Sequence, residues 1–263
     1  MFLAVFVCHD RRVAGTLSWL QAAAPTYEVT PAQAVGAGVI AGVLLLIRIV
    51  GYTTTVAHEG GHALLLAFFN VPIKGIWLDS PGNAETRFGK AIVGGDAVFT
   101  LLAGHLGPSG FGLLAAYLVH RERPDAVLWV GLALLGLFLL LARNLRAFVV
   151  TVLLGLLVVG ALNTREPSVM ALTAVTWAWI LLAGSVVDVF GLHAYRRRAR
   201  ADGLKDKDSD VAQLARYTWI PAPVWVLAFV VMTGIALIYG AALLLGSPLD
   251  VPFHLPSAPS APS

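Results

Sequence analysis

Ala57-His58-Glu59-Gly60-Gly61-His62-Ala63 is the stretch on which the reading of this chain turns. The two histidines are four residues apart, so on a helix they stand on one face, one turn above the other, and both imidazoles can address a single ion. Glu59 follows the first histidine and can reach a water held by that ion. This is the donor pattern of a zinc hydrolase, in which the metal draws the pKa of a water towards neutrality and the carboxylate carries the proton. The surrounding residues 56–69 are otherwise apolar and end in Ala63-Leu64-Leu65-Leu66-Ala67-Phe68-Phe69. Ionisable groups inside an apolar span are costly and mark function where they occur. His58 and His62 are therefore read as metal ligands and Glu59 as the general base; the competing reading is of polar core groups that satisfy one another.

Composition sets the surroundings of this motif. The 263 residues are 58% hydrophobic and only 13% charged, with a mean hydropathy of +0.79. A soluble domain carries about twice that share of charge, so the chain is expected to be an all-α polytopic membrane protein. The net charge of +3 is small and locally concentrated, which argues for orientation in a lipid bilayer and against nucleic acid as a partner. Cys8 is the single cysteine, which excludes an internal disulfide and a cysteine-built metal site. Zn2+ must then be held by histidine and carboxylate.

Apolar runs at 34–50, 52–69, 91–119, 125–162, 168–190 and 222–246 give six to seven transmembrane helices, the run 125–162 being divided at Arg143-Asn144-Leu145-Arg146. The first two runs together would make a helix of about 54 Å, against a hydrocarbon core of about 30 Å, so a break near Gly51 is expected. Between the motif helix and the next span the period changes. Ile73 to Asp79, a Ser80-Pro81-Gly82-Asn83 turn signal and Ala84 to Phe88 read as a short β-hairpin on the membrane surface. Residues 1–33 form a lead-in, 34–246 the membrane domain and 247–263 a Pro/Ser-rich tail expected to be disordered. Tyr195-Arg196-Arg197-Arg198-Ala199-Arg200, with Lys205 and Lys207, makes 191–221 a cytoplasmic loop of a multi-pass protein of the cell membrane.

Depth along the spans selects a third ligand. His62 lies about eight residues from the helix end at Asn70, about 12 Å in, and Asp188 lies about eight residues from Arg196, so the two reach a similar level. His105 is about 21 Å from Ala91 and so too deep. Asp188 is the expected third ligand and Asp96 the reserve, with His105 and Asn144 as further alternatives. His105 also fits a residue that hydrogen-bonds between helices, and Asn144 a helix cap.

These residues together resemble the site-2 protease family of intramembrane zinc metalloproteases, in particular its smaller bacterial branch of peptidase M50B-like membrane proteins. The likeness rests on the HExxH pattern in an apolar helix, the hairpin-like segment 71–90 after it, and Ala103 to Gly110 (AGHLGPSG), which is similar to the branch's AGYxGP element. Ser209-Asp210-Val211-Ala212-Gln213-Leu214-Ala215, leading to Pro221 and Trp225, is similar to an element before the branch's last span. The resemblance implies zinc as cofactor, Glu59 as general base, His58, His62 and an aspartate on a later helix as ligands, and a membrane protein as the peptide substrate. Asp188 is the candidate aspartate, although it stands in Ser185-Val186-Val187-Asp188-Val189 where the family has Leu-Asp-Gly, and His105 occupies a tyrosine-like position. The expected function is a zinc-dependent intramembrane endopeptidase. The alternative is a scaffold that binds metal or transmembrane helices without cleaving them, and an intact Glu59 counts against it, because a binder has no need of a base. A transporter would call for an inverted repeat, and none is evident.

Overall fold

A computed structural model describes residues 27–246 apart from 48–49, 204–205 and 207–208. The expectations for the first 26 residues of the lead-in and for the tail 247–263 lie outside the described residues. Within them run α1 (Pro31–Leu46), α2 (Gly51–Phe68), β1 (Ile73–Ser80), β2 (Asn83–Phe88), α3 (Gly94–His120), α4 (Pro124–Leu141), α5 (Leu145–Thr164), α6 (Pro167–Ala201), α7 (Asp210–Thr218) and α8 (Ala222–Leu244). Among the described residues, helices α3, α4, α5, α6 and α8 are each long and apolar enough to cross a membrane, and α1 and α2, bent by 91° across a short break, meet the same test only when taken together. This is the all-α polytopic fold, with five such helices, or six where the bent pair is taken as one span, against the six to seven expected.

Helix α1 ends at Leu46 and α2 begins at Gly51, where a Cβ would meet Pro81 at 3.0 Å. Upstream, α1 starts at a capping box: the Thr30 hydroxyl accepts from the Gln33 N–H and the Gln33 side chain accepts from the Thr30 N–H. Trp179 of α6 donates its indole N–H to the Ala34 carbonyl at 3.0 Å, which holds α1 against α6. With 35 residues α6 is about 52 Å long, more than a bilayer core of about 30 Å can contain. Its arginine-rich end therefore stands clear of the hydrocarbon. The segment 191–221, read as a loop, is mostly the end of α6 and the short helix α7.

Small residues let α2 press into the middle of the bundle. A Cβ on Gly61 would lie 2.1 Å from the Ala103 carbonyl oxygen, and one on Gly107 would lie 3.0 Å from that of Ala57, so α2 and α3 cross with their backbones in contact. Gly184 of α6 faces Thr54 of α2 in the same way, a Cβ there coming within 2.4 Å of the threonine methyl. Ser109 donates to Ser185 at 2.7 Å and ties α3 to α6. The motif helix is thus enclosed by α3 and α6, as its paired glycines require.

The hairpin forms where the turn signal places it, with Ile76 opposite Thr86 and Trp77 opposite Glu85. It is wedged against the helices and does not lie loose on the surface, because Ile76 and Leu78 alternate onto one apolar face and are fully buried. The outer edge of β1 is closed by the α4–α5 turn. Ile76 pairs in parallel with Ala142, and the Arg143 N–H donates to the Ile76 carbonyl at 3.0 Å. Asn144 accepts from the Leu78 N–H at 3.2 Å, donates to the Leu78 carbonyl at 2.9 Å, and caps α5 by accepting from Ala147 N–H at 3.1 Å. At the hairpin tip the Gly82 N–H donates to the Thr55 hydroxyl of α2 at 2.8 Å.

Candidate metal centre

His58 and His62 project from α2 one turn apart, as their spacing dictates, and their Nε2 atoms stand 3.1 Å from each other. His62 is oriented from behind: its Nδ1 lies 2.8 Å from the Thr100 carbonyl on α3. A carbonyl accepts only, so Nδ1 carries the proton and Nε2 is the nitrogen left to face a metal, the arrangement that fixes metal-ligating imidazoles in general. The ring surfaces meet α3 at Gly104. A Cβ there would come 2.3 Å from His62 Nε2 and 2.9 Å from His58 Nε2, so only glycine leaves the space in front of the two nitrogens open.

The carboxylate that enters this space belongs to Asp210. Its Oδ2 is 3.2 Å from His58 Nε2 and 3.3 Å from His62 Nε2, which completes a nearly equilateral triangle with the 3.1 Å edge between the imidazoles. Ligands held tetrahedrally at about 2.0–2.2 Å from zinc are separated by about 3.3–3.6 Å, so the three atoms form a triangle slightly tighter than one face of such a shell. His105 Nε2 lies 3.7 Å from the same Oδ2, and its ring is 4.7 Å from the ring of His58. His58, His105 and Asp210 form a group whose ligand atoms all fall within 4.8 Å of one another. Burial by itself would raise the Asp210 carboxyl; the charge of His62 and the hydrogen bond and charge of His58 outweigh it and hold the group well below the usual carboxylate range. The donor set of two imidazoles whose Nε2 atoms converge and one ionised carboxylate, facing a gap that a single Cβ would fill, fits Zn2+.

Asp210 replaces Asp188 as the carboxylate of the cluster. Asp188 is on α6 beside the Thr54 hydroxyl, within electrostatic reach of His58 but outside the group of converging ligand atoms. The depth count failed because it treated the spans as parallel rods with a common zero. The close crossing of α2 and α3 instead sets His105 beside His58, although His105 is far along its own helix. Asp96 is at the start of α3, where its backbone carbonyl accepts from the Thr100 hydroxyl at 2.7 Å. Asn144 is committed to Leu78 and to the α5 cap. Asp210 was visible in the sequence as part of the Ser209–Ala215 element, yet it lies outside every apolar span, and a search confined to spans passes it over.

Glu59 is buried, and its Oε2 accepts a 2.5 Å hydrogen bond from the Thr86 hydroxyl of β2. The hairpin therefore reaches the motif helix at the one carboxylate in the motif. No sequence pattern pointed to Thr86, since the contact depends on how the hairpin docks. Among the described residues every buried side-chain polar atom has a partner, so the polar groups of this bundle are compensated in the way a membrane interior demands.

Residues 32–240 match the family described as Peptidase M50B-like. The chain belongs to that family. No curated protein and no solved structure matches it. Membership places a multi-pass membrane fold and a His/Asp cluster within a peptidase family, and the matched range contains the motif helix, the hairpin, α3 and α7 together.

Proposed function

We propose that this protein is a zinc-dependent intramembrane endopeptidase in which His58, His62 and Asp210 hold the metal and Glu59 is the general base. The observation that carries this reading is the triangle of His58 Nε2, His62 Nε2 and Asp210 Oδ2, with edges of 3.1–3.3 Å, next to the buried carboxylate of Glu59. Zinc bound there would supply Lewis acidity towards a water and towards the scissile carbonyl. Glu59, one residue from His58 and held by Thr86, takes the proton from the attacking water and passes it to the leaving amine. His62 is kept in the ligating tautomer by Thr100.

Peptide as the substrate class rests on family membership. A substrate helix must open locally, because its carbonyls are otherwise engaged in its own hydrogen bonds. The hairpin offers extended backbone beside Glu59 against which an opened segment can pair. We place the arginine-rich end of α6 and helix α7 on the cytoplasmic side, so the metal centre opens there and the substrate is a membrane protein reached from that face.

Zinc content and cleavage of a detergent-solubilised transmembrane peptide test the reading together. Wild type and Glu59→Gln should each carry one zinc per chain, while His58→Ala, His62→Ala and Asp210→Ala should lose it. Only wild type should cleave. Wild-type protein that takes up no zinc after reconstitution would overturn the proposal; zinc retained with no cleavage of any membrane peptide would leave a metal-binding scaffold.

A further inference from the structure

The third corner of the centre comes from a different kind of element than the other two. His58 and His62 ride on a helix packed inside the bundle, whereas Asp210 is the first residue of α7, a nine-residue helix outside the spans. Helices this short are marginal alone, and their ends fray first. The body of α7 is held by apolar contact: Val211 and Leu214 are fully buried in a cluster with Leu101, Val189, Val226 and Phe229. That contact holds α7 from Val211 onward; the chain immediately before Asp210 is held by other groups.

The residues that meet it there are Ser209, Asp206 and Arg196. Ser209 is the N-cap of α7. Its N–H donates to Asp206 Oδ1 at 3.1 Å, and its hydroxyl donates to Asp206 Oδ2 at 2.6 Å. Arg196, on the projecting end of α6, pairs with the same Oδ2 and donates to the Ser209 hydroxyl at 3.1 Å. The pair is well covered, the Asp206 side chain being 8% exposed and that of Arg196 16%. Arg197, Arg198 and Arg200 are exposed, so Arg196 alone of this arginine run turns inward. A covered ion pair is a weak device for stability, because desolvation offsets most of its attraction; its attested use is to specify one arrangement over others.

We propose that Arg196 and Asp206 are positioning residues for the metal centre: they clamp Ser209 and thereby aim Asp210 at His58 and His62, so that affinity for zinc depends on an ion pair outside the membrane. The proposal rests on the metal reading above. The arginine run thus has two parts, three exposed residues that bear on orientation in the bilayer and one that holds the helix carrying a ligand. Residues that orient metal ligands from behind change metal affinity by about 10–100-fold when removed.

The test is zinc affinity of the full-length, detergent-solubilised protein, measured by competition with a chelator, with melting of the metal-free protein read alongside. Asp206→Ala and Arg196→Met should each weaken zinc binding by about 10–100-fold, and the double variant should be no weaker than the stronger single. Arg196→Lys should recover part of the loss, and Arg198→Met should match wild type. Asp206→Asn, which keeps an acceptor for the Ser209 N–H and removes the charge facing Arg196, gives a second reading if Asp206→Ala does not fold. Zinc affinity unchanged in Asp206→Ala and Asp206→Asn would overturn the positioning role while leaving the centre intact. A wild type that binds no zinc would instead remove the centre and this proposal with it.

Discussion

Gly104→Ala isolates the geometry of the centre from its chemistry, because it adds one methyl group and removes no ligand. The new Cβ would lie 2.3 Å from His62 Nε2, 2.4 Å from His62 Cε1 and 2.9 Å from His58 Nε2. Unstrained contacts between heavy atoms lie near 3.5 Å, so the closest of these is short by about 1.2 Å. His62 cannot simply swing aside, since its Nδ1 is bound to the Thr100 carbonyl at 2.8 Å. Nor can α3 retreat cheaply, because Gly61 and Gly107 hold it in backbone contact with α2. Either way the two nitrogens move by about 1 Å, whereas a metal site tolerates about 0.2 Å in its bond lengths. Overpacking of this kind costs about 1–3 kcal/mol in stability, so the variant should fold with a lowered melting temperature and lose zinc by at least about 100-fold. The assay is zinc stoichiometry by elemental analysis with affinity by chelator competition. Gly110→Ala, on the same helix with nothing within 4 Å of its added Cβ, is the control and should keep full zinc. Gly104→Ala binding zinc as wild type does would refute the claim that His58 and His62 converge in front of residue 104.

Four further outcomes follow from the same contacts. Asp210→Asn should abolish zinc binding while Asp188→Asn retains it, and the reverse pattern would return the third ligand to α6. Thr86→Val should keep zinc and the fold but lower cleavage of a transmembrane peptide by about tenfold or more, with Thr86→Ser restoring it, because the lost hydroxyl leaves Glu59 free to rotate. Asn144→Ala removes two hydrogen bonds to Leu78 and the α5 cap, and should cost about 2–4 kcal/mol in thermal unfolding. Gly61→Ala would set a Cβ 2.1 Å from the Ala103 carbonyl, forcing α2 and α3 apart; the folded yield in detergent should fall well below that of Gly110→Ala.

Local pattern was sufficient wherever the physics is local. The i, i+4 spacing put His58 and His62 on one helix face, and the apolar runs located the spans because a lipid interior admits few alternatives to helix. The change of period after Asn70 and the Ser80-Pro81-Gly82-Asn83 turn located the hairpin to within a few residues. The tertiary structure decided what stands across from these elements. Asp210 is 148 positions beyond His62 in the chain and sits outside the spans, so neither periodicity nor hydropathy connects them; packing of Val211 and Leu214 against α8 does. Thr86 meets Glu59 because Asn144 and Thr55 dock the hairpin, and His105 meets His58 because α2 and α3 cross in backbone contact. Spacing along a helix is set by covalent geometry and is written in the sequence. The convergence of α2, α3 and α7 at one cluster depends on crossing angles and close approaches that exist only once the small residues of separate helices have met.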